Sequence, residues 1–435
     1  MPQTCDLIIT NTSVLHEDMT VLSHQSIAIE NGRILAVLPH EEAKEHFCAK
    51  ETVDGSDKLW MPGLTDGHMH TGQQLLKGKI LDELPMIWTR IMLPFESTLT
   101  PKKMRLSAQL AALEMIHSGT TSFVDAGSYF MEEAAEIYLQ SGLRGALSYS
   151  TMDAANLPPS IRDTAKSAVS RTDALFDSFH GKGNLKVYYS LRSLISCSKE
   201  LMLLAHAHAT EKNTFLQAHM NEYPNEINFF LEHEQLRPFA YLESLGLLSE
   251  RFLAAHCLLL SAEEMALLKQ YHVKAVHCPF SNCGKGVPDT PSLLELGIPV
   301  GLGSDGTAHG GLSLWNEMKI FRSVMNATYG VSRANPRIMP AATILKMATQ
   351  NGAALLGEEG QLGTLKAGYR ADLISIHLRQ AHLLPASNLT NLLLESVTAH
   401  DIHDMIVQGK WIMKDKQVLT LDEEKILSEV YRNNY

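Results

Sequence analysis

The spacing of apolar and polar positions divides the chain into three stretches. Near the N-terminus, short runs have the spacing of strands: residues 7–9, 26–30, 33–37 and a stretch entering Trp60. Asn31-Gly32 lies between two of them and predicts a tight hairpin turn. The C-terminal stretch has the same style. Residues 371–376 alternate, and residues 405–413 predict two strands around a turn. Both ends are therefore expected to pair into one small β-sandwich domain, residues 1–60 with 366–435.

The middle, residues 61–365, has another rhythm. Eight short apolar runs fall at 61–65, 121–125, 145–150, 186–191, 215–218, 252–255, 274–276 and 299–303. Between them lie amphipathic stretches such as 102–117, 131–141, 199–212, 262–271 and 291–296. Strand then helix, eight times over, predicts an α/β chain folded as a (β/α)8 TIM-type barrel. An open doubly wound sheet is the second choice. No repeat of 20–50 residues and no low-complexity segment is present.

Composition narrows the function. The chain has 435 residues and is 45% hydrophobic, enough for a sizeable core. Lys and Arg total 37 against 48 Asp and Glu, a net charge of -11, which speaks against a nucleic-acid surface. No apolar run of about 18 residues predicts a membrane span, and the first residues lack the pattern of a secretory signal. The 6 cysteines are scattered without a C-x-x-C pair, as expected of a reduced cytoplasmic protein without disulfides. What remains to explain is the 20 histidines.

With that many, H-x-H should occur about once by chance. It occurs twice. His206 and His208 lie in a helix-like segment, where positions i and i+2 face different ways and cannot share an ion. His68 and His70 follow an apolar run, and positions i and i+2 of a strand face one side. His219, His256 and Asp305 also close apolar runs, at the strand ends where barrels carry their sites. Three histidines and one carboxylate would suit Zn2+ with an open position for water, and also Fe2+ or Mn2+. Glu222, three residues after His219, is placed to shuttle a proton or simply to open a helix. His277 could fix a loop or take part in chemistry. His400 and His403 read as surface residues.

Competing motifs are absent. After His233-Glu234, an H-E-x-x-H site would need histidine where Arg237 stands. There is no P-C-x-x-C, G-x-S-x-G or P-loop sequence.

Taken together and in order, these residues resemble the amidohydrolase superfamily. The likeness is greatest to the group holding triazine hydrolases, guanine deaminase and methylthioadenosine/S-adenosylhomocysteine deaminase. It rests on residues 62–70 with His68 and His70, on Leu84-Pro85, Trp88 and Leu93-Pro94-Phe95-Glu96, and on His219 to Glu222. It continues through Ala255-His256-Cys257, His277-Cys278-Pro279 with Ser281-Asn282, and Gly303-Ser304-Asp305-Gly306. Residues 348–353 and 363–372 match the exit into the terminal domain. The resemblance implies that His68, His70, His219 and Asp305 bind one metal. His256 would polarise the attacking water, and Glu222 would pass a proton to the substrate. Two-metal members carry a lysine at the end of strand four; here that end reads Ser190-Leu191-Arg192-Ser193, so one Zn2+ per subunit is expected.

For the substrate, Gln73, Trp88, Glu96, Arg192 and Glu222 are the expected contacts. Glu96 resembles the ribose-binding glutamate of methylthioadenosine-type deaminases, whereas Gln73 and Arg192 resemble guanine deaminase. Because arginine only donates, Arg192 would select a carbonyl, carboxylate or phosphate. The expectation is therefore a deaminase of a guanine-like purine or a pterin. The alternatives are an adenosine-type deaminase, a chlorohydrolase or other hydrolase of a related heterocycle, and an inactive scaffold of the same fold. The expected partner is a small heterocycle, with self-association into a homo-oligomer possible and with neither nucleic acid nor membrane.

Overall fold

The computed structural model describes residues 2–83 and 87–432. Leu84-Pro85, part of the expected substrate-loop motif, lies outside the described residues. Eight parallel staves form the barrel. The first is Leu64–His70, followed by Thr120–Asp125 and Arg144–Leu147. The fourth is split into Leu185–Val187 and Tyr189–Leu191. The fifth to seventh are Leu216–Met220, Phe252–His256 and Lys274–His277. The eighth is split into Val300–Leu302 and Asp305–Gly306.

The two breaks close the ring. Leu185–Val187 pairs with the third stave, whereas Tyr189–Leu191 pairs with the fifth. Val300–Leu302 pairs with the seventh stave, whereas Asp305–Gly306 pairs with the first. The second break therefore carries Asp305 into register with Met69, between His68 and His70.

Helices follow the staves, among them Pro101–Ser118, Ala165–Phe179, Lys199–Glu211 and Ala262–Gln270. Thr100, Thr164, Ser198 and Ser261 cap their first turns. At the last of these Glu264 closes a reciprocal capping box. Val124, Ala146, Leu253 and Val276 of the staves form a buried cluster with Leu355. Gly67 and Gly301 both abut Leu355, and a Cβ on either would overlap its side chain. Packing around Leu355 thus explains glycine at both positions.

The chain ends do pair. Leu373–His377 runs antiparallel to Lys58–Pro62, and the latter lies parallel to Gln3–Leu15. They belong to one nine-stranded sheet. Ile9, Ile27, Trp60, Leu373 and Ile406 share its core, with the Trp60 and Trp411 rings edge to face at 6.2 Å. Asn31 and Gly32 have φ of 50° and 75°, as the hairpin turn requires, and Glu30 pairs with Arg33.

Met61 and Pro62 belong to the terminal sheet, and the first stave starts at Leu64, beyond Gly63. Helix His40–His46 and strand Phe47–Asp54 were not foreseen; the strand has an exposed edge pattern with few apolar residues. His403 is half-buried beside Asp404 and Asp415 and is not a surface residue, whereas His400 is exposed. All 6 cysteines are free. Among the described residues, no helix is long and apolar enough to cross a membrane.

Candidate active site

Every expected metal-site residue comes from the C-terminal end of a stave. His68 and His70 share the first stave, His219 the fifth, His256 the sixth, and Asp305 the eighth. Ligand atoms of His68, His70, His219 and Asp305 all lie within 4.8 Å of one another. The His70 and His219 Nε2 atoms are 3.2 Å apart, and Asp305 Oδ1 is 3.7 Å from His68 Nε2 and 3.4 Å from His70 Nε2.

The donor set fits a divalent ion. Both ring nitrogens of His68, and Nδ1 of His70, are buried without a hydrogen-bond partner. Burial pushes His70 down to about 3, with Arg192 and His68 adding to it. Burial and the neighbouring imidazoles also hold His219 well below its ordinary value. The His70 and His219 rings are thus neutral near pH 7 and keep a lone pair for a cation. Burial alone would raise Asp305, but Lys285 and the imidazoles prevail and keep it ionised. His206 and His208 lie on the Lys199–Glu211 helix and take no part; His208 pairs with Asp173.

Several groups fix this geometry. Buried Asp66 accepts from the backbone N–H groups of His68 and Ser304 and from the Ser304 hydroxyl, clasping the first stave to the eighth. His256 and Asp305 hold φ of 71° and 60°. Such left-handed backbone costs about 1–3 kcal/mol per residue and concentrates at working sites. His277 donates Nδ1–H to the His256 carbonyl at 2.8 Å, and burial lowers its pKa to about 4. It is a neutral support for His256.

His256 Nε2 faces Glu222 Oε1 at 3.7 Å and Asp305 Oδ2 at 4.0 Å. Asn282 determines its tautomer. With its amide nitrogen donating to His256 Nδ1 at 3.0 Å and to the Cys278 carbonyl at 3.3 Å, its oxygen accepts from Cys278 N–H at 3.2 Å. The proton then sits on Nε2, so His256 can donate to and orient a water.

Lys285 was not singled out from the sequence. It lies beyond Ser281-Asn282, and its type alone carried no signal. In the structure it is buried and places Nζ 2.5 Å from Glu222 Oε1. The expected substrate contacts Gln73, Trp88, Arg192 and Glu222 all line the cavity above the histidines. Beneath them, Glu96 Oε1 accepts from Arg192 Nη2 at 2.8 Å and from Gln73 Nε2 at 3.0 Å. Arg192 Nη1 donates to the Gly127 carbonyl.

The Arg192–Glu96 pair is almost fully buried, at 3% and 1% exposure. Arg192→Met should therefore destabilise the fold by about 3–5 kcal/mol, because Glu96 is left as a buried lone charge. Adding Glu96→Gln should return much of that loss in denaturant unfolding. An Arg192→Met protein as stable as wild type would contradict the pairing.

A family model described as the amidohydrolase family matches residues 59–412. The chain belongs to the amidohydrolase family. This amidohydrolase is 33% identical over 431 residues to a 5-methylthioadenosine/S-adenosylhomocysteine deaminase of Carboxydothermus hydrogenoformans, covering 97% of this chain and 96% of that one. It is 31% identical to a 5'-deoxyadenosine deaminase of Methanosphaera stadtmanae, covering 95% and 96%. Among solved structures, it is similar to an adenosine deaminase from Xanthomonas campestris with bound zinc. That likeness has a TM-score of 0.93, 25% identity and coverage of 99% and 98%.

Proposed function

We propose that this amidohydrolase is a hydrolytic deaminase of adenosine-type nucleosides, including those altered at the 5′ position. Water replaces the exocyclic amino group of the ring, and ammonia leaves. The observation that carries the chemistry is the convergence of Glu222, His256 and Asp305 beside a three-histidine donor set. His68, His70, His219 and Asp305 would hold one zinc ion. When bound, that ion supplies Lewis-acid activation of water and lowers its pKa towards neutrality.

The chain's own residues do the rest. His256 Nε2–H orients the attacking water. Glu222 takes one proton from that water as it attacks, and Asp305 takes the other from the hydroxyl left on carbon. Glu222 brings a proton to the ring nitrogen beside the amino-bearing carbon, so that carbon accepts the new C–O bond. As the C–N bond breaks, Glu222 or Asp305 protonates the leaving amine.

The substrate assignment departs from the guanine-like or pterin reading of the sequence. That reading needed Arg192 free to donate to an oxo group. Arg192 instead gives its charge to Glu96. Glu96 Oε2 and Gln73 Oε1 are buried acceptors without partners, which suits a ligand rich in hydroxyl donors, such as a ribose. The names of the most similar relatives support the same choice.

The test is a panel of 5′-methylthioadenosine, 5′-deoxyadenosine, S-adenosylhomocysteine, adenosine, guanine and pterin, following ammonia and product absorbance. An adenosine-type compound should lead guanine and pterin by about 100-fold or more in kcat/KM, the margin a mismatched polar site imposes. Preference for guanine or pterin would return the assignment to Arg192. Chloride release from a chlorinated heterocycle without ammonia from any compound would point to a chlorohydrolase.

A further inference from the structure

Lys285 is a buried cation inside the cavity, and the chemistry above does not use it. Its side chain is 6% exposed, and two carboxylates, Glu222 and Asp305, lie beside it. Nζ donates to Glu222 Oε1 at 2.5 Å and to Ser281 Oγ at 2.7 Å. Ser281 has one hydroxyl proton and gives it to Asp305 Oδ2 at 2.5 Å. Asp305 Oδ2 is also 3.6 Å from Nζ. Glu222, Lys285, Ser281 and Asp305 therefore form one continuous chain of hydrogen bonds.

The two oxygens of Asp305 are divided by this network. Oδ1 faces His68 and His70, whereas Oδ2 faces Ser281, Lys285 and His256. Nζ also lies 5.4 Å from the Tyr223 ring centroid, which limits its swing. A buried ammonium is retained only where anions repay its desolvation, and here both anions are working groups of the proposed reaction.

Resting on the deaminase reading, we propose that Lys285 is a positioning residue for catalysis, holding Glu222 at the proton-transfer position and tying it to Asp305 through Ser281. The link engages one oxygen of Glu222, so the other is not consumed by it. Lys285 acts through Glu222 and does not recognise the substrate.

The experiment uses the zinc-loaded full chain and whichever compound wild type deaminates best. Lys285→Met removes the charge and keeps the stem; Lys285→Gln keeps a donor without the charge; Lys285→Arg keeps both. Metal content, kcat, KM and the affinity for the deaminated product are measured for each. For Met and Gln, kcat should fall about 10–100-fold, the range for losing a supporting contact. Metal content and product affinity should stay within about threefold, and Arg should recover most of the loss. In a Glu222→Gln background, Lys285→Met should cost less than about threefold more, because its partner is already disabled.

Unchanged kcat in Lys285→Met and Lys285→Gln would overturn the role. So would loss of metal or product binding in parallel with kcat, or a full additional loss in the Glu222→Gln background. A wild-type chain that binds zinc but deaminates nothing would instead refute the function proposed above.

Discussion

Glu222→Gln leaves the metal site intact and nearly abolishes turnover. The substitution keeps size and polarity but cannot carry a proton. A positioned acid–base group contributes about 10²–10⁴-fold, and kcat should fall in that range. Glu222 does not belong to the four-residue donor cluster, so bound metal per chain should match wild type. Its state supports the role. Burial alone would raise its pKa, yet His256 and Lys285 outweigh burial and keep it below the ordinary carboxylate value. Near pH 7 it therefore begins as a carboxylate that can accept a proton before delivering it. Stopped-time ammonia assays and elemental analysis of the same preparation check both halves. Near-wild-type kcat in Glu222→Gln would remove it from the mechanism.

Asp305→Ala should fail at an earlier step. It removes the only carboxylate from the His68, His70 and His219 cluster. It also removes the acceptor of Ser281 and the second anion beside Lys285. Three imidazoles without a carboxylate should then hold the ion weakly, with a buried ammonium close by. Turnover should fall by more than the roughly 10²–10³-fold of losing one stabilising donor. Bound metal after gel filtration should drop well below one per chain. A variant that retained full metal and lost only turnover would make Asp305 a base alone.

The strand ends were legible because period two leaves no choice of face. With Leu64–His70 as a strand, His68 and His70 must point together, whereas His206 and His208 on a helix cannot. Asn31-Gly32 was legible because few other pairs tolerate positive φ at both positions. The hinge at Gly63 was not, because Met61 and Leu64 are equally apolar while belonging to different sheets. Nor were the breaks at Tyr188 and after Leu302, where hydrogen-bond partners change but hydrophobicity does not.

Arg192 shows the limit for specificity. Its type and place at the fourth stave suggested an oxo-bearing ring. Only the fold shows that Glu96, from a segment distant in sequence, has already taken its charge. Lys285 is the reverse case, a residue with no motif of its own that the Pro279–Cys283 helix delivers to two carboxylates.

The most direct test of a single-metal hydrolytic deaminase is to strip the protein with a chelator, add zinc back stepwise and measure ammonia released from 5′-methylthioadenosine. Activity should be absent without metal, rise in proportion to bound zinc and level off at one ion per chain. Full activity in the stripped protein, or a need for two ions per chain, would contradict the account.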